Sequence, residues 1–173
     1  ARGMLLKADD GLVEGNTVDG STIAGIIVAP EVWWPEADYS HNVVLRNNTI
    51  RHTAYATLGP WSDPSGGLII SGDGAMGNEN ITIANNKFAD IDSVNLIVRY
   101  AKNVKVAGNR FVNPLRLKPL TGGDRGIDQT STVWMGDCKG VVLTNNLVSR
   151  PGLIQTRLLS VAPTASDVTG ERD

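Results

Sequence analysis

Short runs in which apolar and polar residues alternate recur along this chain, and several of them spell one phrase. Asn42-Val43-Val44-Leu45-Arg46-Asn47-Asn48-Thr49-Ile50 is the clearest copy. Asn80-Ile81-Thr82-Ile83-Ala84-Asn85-Asn86-Lys87-Phe88 matches it in residue type, and residues 103–111 and 140–148 are two more. Residues 11–18 form the first copy. The last Asn of each copy stands at 16, 48, 86, 109 and 146, so the intervals are 32, 38, 23 and 37 residues. A repeat in that range marks a solenoid. Within each copy the period-2 alternation predicts a strand with one buried face. The Asn-Asn or Gly-Asn pair ends that strand at a sharp corner, because Asn tolerates the left-handed backbone region. Stacked copies bring Asn16, Asn48, Asn86, Asn109 and Asn146 into one column, where their amides can form a hydrogen-bonded ladder. Service of each Asn to its own turn would explain the same recurrence.

A second strand follows each copy. Gly25-Ile26-Ile27-Val28, Gly67-Leu68-Ile69-Ile70, Asn95-Leu96-Ile97-Val98 and Thr132-Val133-Trp134-Met135 occupy equivalent places, with Leu158-Leu159-Ser160-Val161 as the last. Gly3-Met4-Leu5-Leu6 reads as the same strand of a rung whose first strand is missing. Short strands, variable loops and no 3.6-residue apolar period predict an all-β chain, a parallel β-helix of about five rungs over residues 1–161. A sandwich is the alternative, but its hairpins need no repeated corner. A strand that starts at Gly3 with nothing over its edge predicts the C-terminal part of a longer β-helix. A homodimer through that uncapped first rung is the simplest cover. Residues 162–173 are polar and aperiodic, and read as a weakly docked tail.

Repeats of the form N-h-x-h-x-N-N-x-h followed by G-h-x-h resemble the right-handed parallel β-helix of the pectin-lyase-like superfamily. That superfamily holds polysaccharide lyases, glycoside hydrolases and carbohydrate epimerases. Residues 2–8 and 10–16, with Ala29-Pro30-Glu31 and Trp34-Pro35-Glu36-Ala37, more particularly resemble β-helix glycosidases of the bacterial α-1,3-galactosidase type. The resemblance implies a right-handed coil, an oligo- or polysaccharide partner, galactosides as substrates and a secreted or periplasmic location. No residue by itself selects galactose.

The 173 residues, 18.4 kDa in mass, are one domain's worth of chain. A net charge of −2 gives no electrostatic case for nucleic acid. No apolar run approaches the roughly 18 residues that span a bilayer as a helix. Cys138 is single, which excludes an internal disulfide framework, and no Cys/His cluster suits a structural metal. No motif implies a cofactor: Gly122-Gly123-Asp124-Arg125-Gly126 lacks the Lys-Ser/Thr and the helix of a phosphate loop.

Candidate chemistry gathers in the excursions between strands. Residues 29–41 place two Trp, one Tyr and three carboxylates on one loop. Aromatic faces stack on pyranose rings, so Trp33, Trp34 and Tyr39 read as a sugar platform, with Glu31, Glu36 or Asp38 bonding hydroxyls or moving a proton. The opposing reading folds the Trp pair back onto the coil as a lid. Residues 51–66 carry His52, Tyr55, Trp61 and Asp63, and His52 reads as a base or as a capping residue. Asp73, flanked by glycines in 71–79, suits an Asx turn better than a calcium loop. Aligned second strands put Glu31, Asp73, Arg99 and Asp137 near strand ends along one edge. Rungs lie about 4.8 Å apart, which suits the carboxylate pairs of glycosidases.

Three functional readings follow. The first is a glycoside hydrolase, with Glu31 and Asp73 as acid and base, Asp137 in reserve, and Arg99 anchoring a hydroxyl or carboxylate. The second is a non-catalytic β-helix module that binds glycan or supports further rungs. The third is a polysaccharide lyase, for which Arg99 alone offers a base.

Overall fold

The computed structural model describes residues 1–55, 64–117 and 126–171. The chain coils as a right-handed parallel β-helix. Its first rung is β1 (Arg2–Leu6), β2 (Leu12–Glu14) and β3 (Thr17–Asp19). The second is β4 (Ala24–Val28), β5 (Val44–Arg46) and β6 (Thr49–Arg51). The third is β7 (Gly66–Ile70), β8 (Asn78–Ala84) and β9 (Lys87–Ala89). The fourth is β10 (Leu96–Val98), β11 (Ala101–Ala107) and β12 (Arg110–Val112). The fifth is β13 (Ser131–Met135), β14 (Cys138–Thr144) and β15 (Leu147–Ser149). β16 (Arg157–Val161) and β17 (Ser166–Gly170) follow. Corresponding strands stack into three parallel sheets, of six, six and five strands. The repeated phrase therefore spans a strand of the second sheet, a corner and a strand of the third, and the G-h-x-h run is the first sheet. No helix among the described residues is long and apolar enough to cross a membrane.

Inward-facing side chains stack in register along the axis. Met4, Ile26, Leu68, Leu96, Val133 and Leu159 form one such column of the first sheet. Val13, Leu45, Ile83, Val106 and Leu143 form that of the second. Val18, Ile50, Phe88, Phe111 and Val148 form that of the third, where the rings of Phe88 and Phe111 stack at 4.9 Å. Each such side chain, fully buried, contributes about 1.5–3 kcal/mol. The inner strands of the first sheet, β4, β7, β10 and β13, are buried on both faces. Ile27, Ile69, Ile97 and Trp134 point outward and are covered by Ile23, Val94 and Ile127 in a second apolar cluster. That is why these strands read as continuous apolar runs rather than alternations.

The asparagine column is a ladder, and the two Asn of each pair divide the work. The residue before the ladder Asn takes the left-handed corner: Gly15, Asn47, Asn85, Gly108 and Asn145 have φ of 70°, 55°, 54°, 65° and 56°. The second residue bonds along the axis. Asn16 Nδ2 donates to Asn48 Oδ1 at 3.1 Å, Asn48 to Asn86 at 3.0 Å, Asn86 to Asn109 at 3.1 Å and Asn109 to Asn146 at 3.0 Å. Each receiving Oδ1 also accepts the backbone N–H of the preceding ladder Asn. From Asn48 onward, each Nδ2 donates a second time, to a backbone carbonyl one rung back: Val13, Leu45, Ile83 and Val106.

A second, exposed ladder runs with the opposite polarity. Asn103 Nδ2 donates to Asn80 Oδ1, Asn80 to Asn42, and Asn42 to Asp10 Oδ1 at 2.9 Å. The acceptor end of each ladder is a carboxylate: Asp10 for the exposed one, Glu171 for the buried one, where it takes Asn146 N and Nδ2.

Residues 162–171, in the stretch that reads from sequence as a weakly docked polar tail, carry β17. It pairs with β14 in parallel and puts Val168 into the core. The sequence hides this strand because Val168 is its one apolar residue and polar neighbours flank it. Trp61, Asp63 and the 122–125 part of the Gly-rich loop lie outside the described residues.

Candidate functional site

The candidate residues lie where the chain leaves the first sheet for the second. Val28, Ile70, Val98 and Met135 are in register. Glu31 and Asp73 are each the third residue beyond this line, in loops that have left the paired register. Arg99 is the first residue beyond it and Asp137 the second, so these two do not share that column. They meet each other instead: Arg99 Nη2 donates to Asp137 Oδ2 at 3.3 Å and to Tyr100 Oη at 2.8 Å. The guanidinium also lies 4.5 Å from the centre of the Tyr100 ring, and its buried Nε has no hydrogen-bond partner among the described residues. Asp137 N–H donates to Thr164 Oγ1, which ties this corner to the segment before β17.

Residues 31–37 form a loop closed on itself. Glu31 N–H donates to Ala37 O at 2.9 Å in an antiparallel bridge. Its tip carries Trp33 and Trp34, 85% and 73% exposed, so the rings do not fold back as a lid. Lys7, one residue beyond β1, reaches this loop. Its Nζ lies 2.9 Å from Glu31 Oε2 and 4.0 Å from Glu36 Oε2. Asp38 accepts the N–H of Tyr39.

Tyr39 joins this loop to the next. Its ring rests against the backbone of Gly72 and Gly77: a Cβ at Gly77 would lie 2.2 Å from the ring, and one at Gly72 2.7 Å from it. Its hydroxyl accepts the N–H of Asp73 at 3.2 Å. The Asp73 carboxylate itself is exposed. Behind these loops the buried amide of Asn78 donates to Ser71 O and Tyr100 O and accepts the N–H of Ser40, so three connections share one pin. The structure thus joins the Trp pair, Glu31 and Glu36 through Lys7, and Tyr39 with Asp73. It separately pairs Arg99 with Asp137.

Sequence reasoning missed Lys7, Asn78 and the two ring-seating glycines. For Lys7 a signal existed: continuing the alignment one residue past Leu6 puts it level with Arg99. His52 sits at a different corner. Its Nδ1 lies 2.8 Å from Asp19 Oδ1 and its Nε2 3.8 Å from Asp90 Oδ2, beside the Arg51–Asp19 ion pair. The hydrogen bond from His52, helped by Arg51, holds the Asp19 carboxyl below its usual range. Burial, with the nearby charge of Asp137, pushes the Cys138 thiol up to about 11 and keeps it protonated at neutral pH. Among the described residues no group of three or more His, Cys, Asp or Glu gathers as a metal ion would require. Comparison with models of known protein families, with characterised proteins and with solved structures finds no match for this chain.

Proposed function

We propose that this chain is a carbohydrate-active β-helix protein that takes an oligo- or polysaccharide on the corner between its first and second sheets, with Trp33 and Trp34 as the stacking platform. The exposure of both indoles on a closed, tethered loop carries the reading. Large apolar rings held in water add nothing to the core, and grouped exposed apolar surface marks a binding site. A pyranose offers such rings a matching face of C–H bonds, while its hydroxyls need polar partners at the edge. Glu36, Asp38 and Asp73 supply acceptors beside the platform, and Arg99 with Asp137 supplies a donor and an acceptor two and three rungs on. The resemblance of the repeat to pectin-lyase-like β-helices agrees with a glycan partner.

The test is a fluorescence titration with galactose-capped oligosaccharides. Replacing Trp33 and Trp34 together by alanine raises Kd about a hundredfold, the loss of about 2–3 kcal/mol typical of aromatic anchors. The thermal midpoint stays unchanged, because neither ring supports the core. An unchanged Kd in the double variant would remove the platform.

A second reading, hydrolysis, rests on two carboxylates, Glu31 and Asp73, that follow the aligned ends of neighbouring first-sheet strands by the same number of residues. It predicts cleavage of aryl glycosides and a loss of at least about a hundredfold in kcat for both Glu31→Gln and Asp73→Asn. Full activity in either variant would dismiss the pair. Cleavage by neither variant nor the wild type would leave the binding reading alone. A lyase gains no support here, since Arg99, its one candidate base, is bonded to Asp137 and Tyr100.

A further inference from the structure

We infer that Lys7 is the positioning residue of the tryptophan loop, an inference that rests on the glycan reading above. Lys7 stands on the end of β1, a strand bonded along its length to β4, so its backbone is fixed by the coil. The base of the loop it reaches is held by the bond from Ala29 N–H to Leu6 O on one side and by Tyr39, seated against Gly72 and Gly77, on the other. Its internal bridge from Glu31 to Ala37 closes the loop without attaching its tip to the body. Among the described residues no hydrogen bond ties 32–35 to the coil. Glu31 and Glu36 bracket the Trp pair, and the single ammonium of Lys7 faces both. The Lys7 side chain is 23% exposed and that of Glu31 32%, so this contact is shielded where that to Glu36, 72% exposed, is not. One charge on the coil thus links it to both carboxylates that flank the Trp pair, on a loop whose base is already anchored.

The position is built into the register. The places level with Lys7 on the next rungs are Ala29, Ser71 and Arg99. Only the rungs with a cation there use it to hold a carboxylate on the same corner: Lys7 holds Glu31, and Arg99 holds Asp137. Lys7 touches no bound sugar in this account. It acts through the loop.

The experiment compares wild type, Lys7→Met and Lys7→Arg in two readouts. The first needs no ligand: hydrogen exchange of the Glu31 amide, which reports closure of the loop. Lys7→Met speeds that exchange while the thermal midpoint holds, and Lys7→Arg restores it. The second is Kd for an uncharged galactose-capped oligosaccharide. Lys7→Met raises it about fivefold, the scale of a partly exposed ion pair, and Lys7→Arg recovers the affinity. Raising the salt to 1 M weakens binding by the wild type, because the pair is screened, and leaves Lys7→Met unaffected. A purely structural lysine would show no such salt dependence for an uncharged ligand. Exchange and affinity equal to wild type in Lys7→Met would overturn the inference, as would faster exchange with unchanged affinity. If the wild type binds no sugar, the glycan reading falls, and the exchange arm still decides whether Lys7 holds the loop.

Discussion

Asn109→Ala lowers the unfolding free energy by about 4 kcal/mol. Asn109 is fully buried and stands inside the inner ladder, between Asn86 and Asn146. Alanine removes its two donations, to Ile83 O and Asn146 Oδ1, and its two acceptances, from Asn86 N and Nδ2. Each buried hydrogen bond contributes about 1 kcal/mol net, and a stranded buried donor costs about 1–3 kcal/mol more. The Asn86 backbone N–H is the stranded donor. Against a total stability of about 5–15 kcal/mol, such a loss is read directly as a shift in the urea midpoint. Asn145→Gly is the control. It alters the left-handed corner beside the ladder, where Gly108 already serves the rung before, and it stays within about 0.5 kcal/mol of wild type. A loss below about 1 kcal/mol for Asn109→Ala would mean that each Asn serves its own turn and that the column carries no shared energy.

Gly67→Ala costs about 3 kcal/mol, through steric crowding rather than lost bonding. Gly67 lies on the inner side of β7, at the corner where the first and third sheets converge. A Cβ there would stand 2.5 Å from the carbonyl of Asn95, 2.8 Å from the Ile91 methyl and 3.2 Å from the Phe88 ring. The Asn95 carbonyl accepts the N–H of Leu68, so it cannot withdraw without breaking a bond of the sheet. Gly25, one rung earlier, is bound in the same way: its Cβ would meet Gly67 O at 2.7 Å. Gly11→Ala, whose nearest neighbour would be 3.8 Å away, is tolerated. Thermal melts of the two variants give the comparison, and equal midpoints would show that the two sheets have room to part.

The coil was legible because its physics repeats. A ladder amide and a left-handed corner must recur on every rung, and Asn48, Asn86, Asn109 and Asn146 put that requirement into the chain at one place in each copy. β17 was not legible, because a last strand bonded on one side needs a single inward residue, Val168, and leaves no period to detect. Glu171 was hidden for a related reason: a ladder's end takes an acceptor, so the residue there departs from the repeat it completes.

The site was half legible. Two Trp on one loop of an aromatic-poor chain drew attention to residues 31–39, and the rings do stand in solvent. What local sequence does not reveal is which residues hold them. Lys7 is 24 positions from Glu31, and Asp73 is 34 from Tyr39. Those contacts follow from stacking register, which a sequence yields only once every strand has been aligned to its last residue. The edge of Glu31, Asp73, Arg99 and Asp137 shows the same limit. Glu31 and Asp73 each follow the strand line by three residues, while Arg99 and Asp137 sit one and two places beyond it and pair with each other.

The most direct test of the central claim is retention on a glycan array, run with the wild type beside the Trp33→Ala/Trp34→Ala variant. The account predicts that the wild type is held by a defined set of glycans and that the folded variant loses them all. Equal retention of the two proteins, or no retention of the wild type, would contradict it.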